Sequence, residues 1–188
     1  MRFFIAAPIS EEARNGARSV LDVLSRCHAD FKWVEPENLH LTLAFFGDAP
    51  AQALPALEKA MDQAVSGRRA FELVFGELGA FDSLERPRVL WLGVSRGAEL
   101  LKELAGALRL ALDQAGLLTE QDRGRDFKAH LTLGRMRSSR RLSELKAILA
   151  RSPLKAEFRS RVERLVLYES RLSAQGPVYT EVAVRNLA

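Results

Sequence analysis

One cysteine, Cys27, and three histidines, His28, His40 and His130, are all that this chain of 188 residues offers of the side chains that most often bind metals or cross-link proteins. A single cysteine excludes an internal disulfide and fits a reducing, cytoplasmic setting; Cys27 reads as a buried bystander on the first helix. No apolar run approaches the roughly 18 residues of a membrane helix. The opening residues, Met1 to Ile9, hold one basic side chain and a short apolar run that reads as a first strand, not a signal peptide. There is no Gly-x-Ser-x-Gly turn to carry a nucleophilic serine, and no Gly/Ser-rich linker divides the chain. With 47% hydrophobic and 28% charged residues, disorder is excluded as well. A chain of this length buries roughly 70% of its unfolded surface, enough for one domain of two small lobes sharing a core.

What is present is a repeated phrase. His40-Leu41-Thr42-Leu43 and His130-Leu131-Thr132-Leu133 are identical and lie 90 residues apart. Each reads as a β-strand: Leu39, Leu41, Leu43 and Phe45 alternate with Asn38, His40, Thr42 and Ala44, and Phe127, Leu131 and Leu133 alternate with Lys128, His130 and Thr132. Side chains two apart share a face, so the leucines point to a core while each histidine stands beside its threonine on the other face. A one-residue slip would bury the polar pair.

The rest of the chain supplies a setting for both copies. Arg2 to Pro8 is a strand, Ser10 caps a helix with Glu11 and Glu12 in its first turn, and Phe31 to Val34 is a short strand. The first motif strand, Leu39 to Phe46, is followed by a helix from about Pro50 or Ala51 to Val65. Phe71 to Phe75 and Val89 to Val94 are predicted as strands around a loop that contains Gly76, Gly79 and Pro87. Leu100, Leu101, Leu104, Leu108 and Leu112 mark a helix ending at Gly116; Phe127 to Gly134 is the second motif strand, and a helix over Leu142 to Ala150 follows. Strands at Arg161 to Glu169 and Val178 to Val184 complete an α+β chain of duplicated, bilobal topology, with two antiparallel sheets around a central cleft and helices outside.

Two histidines near neutral pH can exist with one ring neutral and one protonated, the requirement for taking a proton from water and giving one to a leaving oxygen. Thr42 and Thr132 can hydrogen-bond the oxygens of a phosphoryl centre. No Asp, Glu or Cys stands at ligand spacing near either histidine, so neither a metal nor a cofactor is expected, and the groups suit phosphoester cleavage. His28 lacks the motif context and reads as a surface residue. The net charge is +4, and the excess gathers around the second phrase as Arg123, Arg125, Lys128, Arg135, Arg137, Arg140 and Arg141. Such a patch attracts phosphates, and without the neighbouring histidine it would be an ordinary solvated loop.

The two phrases, together with Trp33, Pro36-Glu37-Asn38-Leu39, Phe45-Phe46-Gly47, Pro87 to Gly93 and Leu167-Tyr168-Glu169-Ser170, resemble the bacterial RNA 2′,3′-cyclic phosphodiesterases. These are also called 2′-5′ RNA ligases and belong to the two-histidine phosphoesterase superfamily. The resemblance spans nearly the whole chain. It implies a single bilobal domain over 1–188, and hydrolysis of an RNA terminal 2′,3′-cyclic phosphate to a 2′-phosphate without a metal. It further implies that His40 protonates the leaving 3′ oxygen, that His130 acts on the attacking water, and that Thr42 and Thr132 bind the phosphate. ATP-independent 2′-5′ ligation is implied as a minor activity. One departure is Ala129, where the family commonly has proline before the histidine; no chemical group is lost with it. By strand parity Lys128 and Phe46 share the histidine faces, Lys128 as a phosphate contact or a solvated strand-end charge and Phe46 as a core ring or a base-stacking one, while Arg135 lies on the opposite face at a strand end from which it could turn back. Arg123 and Arg125 are candidates for the RNA backbone. The partner expected is an RNA end, the protein a cytoplasmic monomer; an RNA-end binding module without turnover is the competing reading.

Overall fold

The computed structural model describes residues 2–118, 123–124, 126–151, 157–174 and 176–188. Strand β1, Arg2–Pro8, leads straight into helix α1, Glu11–Leu24. The Ser10 hydroxyl accepts from the Ala13 N–H at 3.2 Å, and Glu11 and Glu12 occupy the first turn, where the helix dipole favours them. Ala13, Ala17, Val20, Leu21 and Leu24 form the buried stripe that the spacing predicts. Cys27 is buried just past the helix rather than on it, its thiol donating to the Leu24 carbonyl at 2.9 Å.

After β2, Phe31–Trp33, a short 3-10 turn leads into β3, His40–Asp48. Helix α2, Leu54–Val65, precedes β4, Phe71–Asp82, and β5, Pro87–Arg96. Helix α3, Ala98–Gln114, then precedes β6, His130–Met136, and α4, Leu142–Arg151. The chain ends in β7, Arg159–Val162, β8, Arg164–Ser173, and β9, Gly176–Asn186.

Among the described residues these nine strands make two antiparallel sheets, in the orders β3-β1-β8-β9 and β2-β6-β5-β4-β7. Each motif strand thus pairs with the strand that opens its half of the chain: β3 with β1, β6 with β5. The third strand is exchanged, because β4 of the first half joins β5 and β8 of the second half joins β1. One continuous core follows, with Ile5, Leu41 and Leu167 from one sheet and Leu92, Leu131 and Leu133 from the other, all covered by the helices. The opposite faces of the sheets carry the histidines.

Four predicted elements differ from the structure. Gly76 and Gly79 lie inside β4, not in a loop: a Cβ on Gly79 would stand 2.1 Å from the Trp91 ring and one on Gly76 would stand 2.9 Å from Ser95. These glycines admit a close neighbour instead of making a turn. The predicted strand Arg161 to Glu169 is two strands, parted at Glu163, that serve different sheets as β7 and β8. The second motif strand starts at His130, with residues 126–129 outside any strand, and Leu100 is 47% exposed, leaving Leu101, Leu104, Leu108 and Leu112 as the buried stripe of α3.

Candidate active site

Both motif strands bulge at the same place. Along β3 the partners of Ala6 and Ile5 are Thr42 and Ala44, so Leu43 is the extra residue; along β6 the partners of Trp91 and Leu90 are Thr132 and Gly134, so Leu133 is. A bulge puts two successive residues on one side and reverses the alternation beyond it. Leu43 and Ala44 are accordingly both buried, as are Leu133 and Gly134. At Gly134 a Cβ would stand 2.6 Å from the Trp33 ring, which explains the glycine. Beyond the bulge, Phe45 and Arg135 turn to the histidine face.

The histidines share a posture. His40 Nδ1 lies 2.7 Å from the Asn38 carbonyl oxygen, and His130 Nδ1 lies 2.6 Å from that of Lys128. A carbonyl only accepts, so each Nδ1 carries the proton and each Nε2 is the nitrogen left to titrate and to do chemistry. A cavity of about 150 Å³ is lined by His40 and Thr42 of β3, by Thr132 and Arg135 of β6, and by Phe45 and Tyr179. A larger one of about 270 Å³ lies beyond His40, sharing Asn38, His40 and Tyr179 with the first and adding Arg14, Arg164, Glu37 and Glu181.

Their surroundings differ. The His40 ring stacks on Phe4 at 4.8 Å between centroids and meets Tyr179 edge-on at 5.5 Å. Burial, reinforced by the positive charge of Arg135 and by His130 and opposed by the Asn38 carbonyl, lowers its pKa from 6.5 to about 4. Tyr168 and Tyr179 are pushed up, chiefly by burial. His130 meets Phe81 edge-on at 5.0 Å and Trp91 at 6.2 Å.

The other candidates fall into place around this frame. Lys128 lies beside His130 with its ammonium 4.2 Å from the centre of the Trp91 ring, a cation–π contact. Arg135 faces the cavity outright, because the bulge carries it there. Phe46 does not line the cavity: it is the extra residue of a second bulge in β3 and packs against the core, while Phe45, 50% exposed, takes the expected place. Arg123 is ion-paired with Asp113 at 2.9 Å and lines neither cavity; Arg125 lies outside the described residues. His28 is exposed, 3.4 Å from Glu144. Phe4 and Tyr179 are not singled out by the motifs, and Asn38 stands in the Pro36-Glu37-Asn38-Leu39 block without a role. Phe4 and Tyr179 reach the site from other strands; Asn38 sits two before His40, the counterpart of Lys128. Among the described residues no group of three or more His, Cys, Asp or Glu is placed to hold a metal ion.

Two antiparallel sheets, each presenting a His-x-Thr strand to a common groove, make the fold of the two-histidine phosphoesterases. The chain belongs to the 2′-5′ RNA ligase superfamily, whose family model matches residues 8–173. It is 32% identical over 187 residues to the RNA 2′,3′-cyclic phosphodiesterase of Methanothermobacter thermautotrophicus, covering 100% of this chain and 99% of that one. Among solved structures it resembles the protein TT0787 of Thermus thermophilus, at 28% identity and a TM-score of 0.83 over 100% of this chain and 98% of that one. It also resembles Escherichia coli LigT complexed with 3′-AMP, at 25% identity and a TM-score of 0.75 over 99% and 97%.

Proposed function

We propose that this protein opens the 2′,3′-cyclic phosphate at the end of an RNA to a 2′-phosphate. The observation that carries the reading is the matched pair of imidazoles, each fixed through Nδ1 to the carbonyl two residues back and each two residues before a threonine that lines one cavity. One Nε2 takes a proton from water as its oxygen bonds to phosphorus; the other Nε2–H gives a proton to the 3′ oxygen as the P–O3′ bond breaks. His130 is the acceptor in this scheme and His40 the donor, and exchange with solvent restores both rings. Thr42 and Thr132 donate to the non-bridging oxygens, while Arg135 stabilises the charge that builds on them. With a pKa near 4, His40 is neutral at pH 7 in the free protein, and an anion beside it offsets burial and the repulsion of Arg135. Substrate binding therefore favours the protonated, donating form. Phe45 is the ring offered to a base, and Lys128 adds a cation beside His130.

An RNA 5′-hydroxyl in place of water breaks the same P–O3′ bond and leaves a 2′-5′ linkage, which is the minor ligation reading. The protein acts in this scheme as a cytoplasmic monomer without metal or cofactor. The test is incubation of an oligonucleotide ending in a 2′,3′-cyclic phosphate, in EDTA, with product analysis. A 2′-phosphate end is expected. Binding without turnover would leave an RNA-end binding module, and activity restored only by a divalent ion would overturn the metal-free scheme.

A further inference from the structure

Beyond the bulge, the second sheet carries a row of side chains that concentrates positive charge. Across the ladder Lys32 of β2 stands opposite Arg135 of β6, Arg135 opposite Val89 of β5, and Val89 opposite Phe81 of β4. Arg135 faces the groove, and so does Val34, which lines the same cavity two residues past Lys32 and therefore shares its face. Two cations thus stand directly opposite each other on one face. Like charges so placed destabilise a sheet. The equivalent row of the first sheet runs Phe45, Phe4, Tyr168, Glu181 and holds no cation. Lys32 Nζ lies 3.3 Å from where a Cβ would stand on Gly176 at the start of β9, so its ammonium reaches from one sheet to the other at the end of the groove.

Resting on the hydrolysis proposed above, we infer that Lys32 and Arg135 form an anion site for a second phosphate of the substrate. An RNA ending in a cyclic phosphate carries one further anion within a nucleotide of the reacting centre: the phosphodiester on the 5′ oxygen of its terminal nucleotide. Arg135 reaches both phosphates from its place between Lys32 and the cavity of His40 and Thr132. Lys32 touches only the second. The substrate class is then an oligonucleotide of two residues or more, with a nucleoside 2′,3′-cyclic monophosphate served poorly because it lacks the group that the pair binds.

The experiment compares a dinucleotide ending in a 2′,3′-cyclic phosphate with the matching nucleoside 2′,3′-cyclic monophosphate, in the wild type, Lys32→Gln and Lys32→Arg. Lys32→Gln is expected to raise KM for the dinucleotide about tenfold, the scale of one charge-assisted hydrogen bond, against at most about twofold for the mononucleotide. The salt dependence of dinucleotide binding should flatten by about 0.7 in log–log slope, the share of one phosphate contact on a single strand. Lys32→Arg, which keeps the charge, should restore most of the preference. Equal changes for both substrates, or none for either, would overturn the site. If neither substrate is cleaved by the wild type, the proposed reaction fails, and calorimetric binding of the same two molecules still decides whether Lys32 recognises the second phosphate.

Discussion

His40 and His130 are held by the same hydrogen bond and followed by the same bulge, yet one ring is packed against Phe4 and Tyr179 while the other stands beside Phe81, Trp91 and Lys128. The backbone sets where each Nε2 points. The neighbouring strands set how tightly His40 holds a proton, and burial has moved it well away from an ordinary histidine. Beyond the bulge the two strands diverge completely, since equivalent positions hold the ring of Phe45 and the guanidinium of Arg135. Duplication thus supplies matched geometry, and divergence around it supplies unlike surroundings, which the proposed proton donor and proton acceptor would use.

The sharpest attack on this comparison removes each ring. His40→Ala and His130→Ala should each lower turnover of a cyclic-phosphate oligonucleotide by about 10² to 10⁴, the scale of losing a general acid or base, with circular dichroism unchanged. Near-normal turnover in either variant would break the pairing. Arg135→Met should cost about 10² in kcat/KM, since it removes charge stabilisation at the phosphate, and should raise the His40 pKa because a repelling cation is gone. Phe4→Leu tests burial directly: NMR titration should show His40 moving up from about 4, while inorganic phosphate added to the wild type should move it the same way.

A smaller effect lies in stability. Because the folded pKa of His40 is about 4 and the ordinary value is 6.5, the unfolded chain binds the extra proton between them. The contribution of His40 is therefore complete above about pH 6.5 and is lost as the pH falls toward about 4; urea unfolding should show that slope reduced in His40→Ala. The least change is expected from Arg123→Glu. Its exposed ion pair with Asp113 is worth at most about 1 kcal/mol, and binding of a long oligonucleotide should weaken only about twofold, less than in Lys32→Gln.

Much of the site is legible because it is local. A two-residue period places His40 beside Thr42 and His130 beside Thr132, and that relation survives up to the bulge. Past it, simple alternation fails, which is why it puts Phe46 where Phe45 stands and turns Arg135 toward the core. The signal that could have revealed this is small: Leu43-Ala44 and Leu133-Gly134 are adjacent non-polar pairs at the same offset from each histidine. Phe4, Tyr168 and Tyr179 are hidden for another reason. Each reads as an ordinary strand aromatic, and only the strand order β3-β1-β8-β9 carries them to His40. The loop predicted around Gly76 and Gly79 fails likewise, since the Trp91 ring that needs the space beside Gly79 comes from the next strand.

The exchange of β4 and β8 governs how this chain can come to be folded at all. A first half made alone would hold only β1 paired with β3, a two-stranded ribbon that water does not support, with β4 lacking its partner β5. The stretch that completes that sheet, β8, begins at Arg164, so a ribosome has made most of the protein before its first sheet can close. Folding is therefore dominated by contacts between distant parts of the chain, a slow class of topology, and cutting the polypeptide between its halves would leave two fragments that complete either sheet only by finding each other.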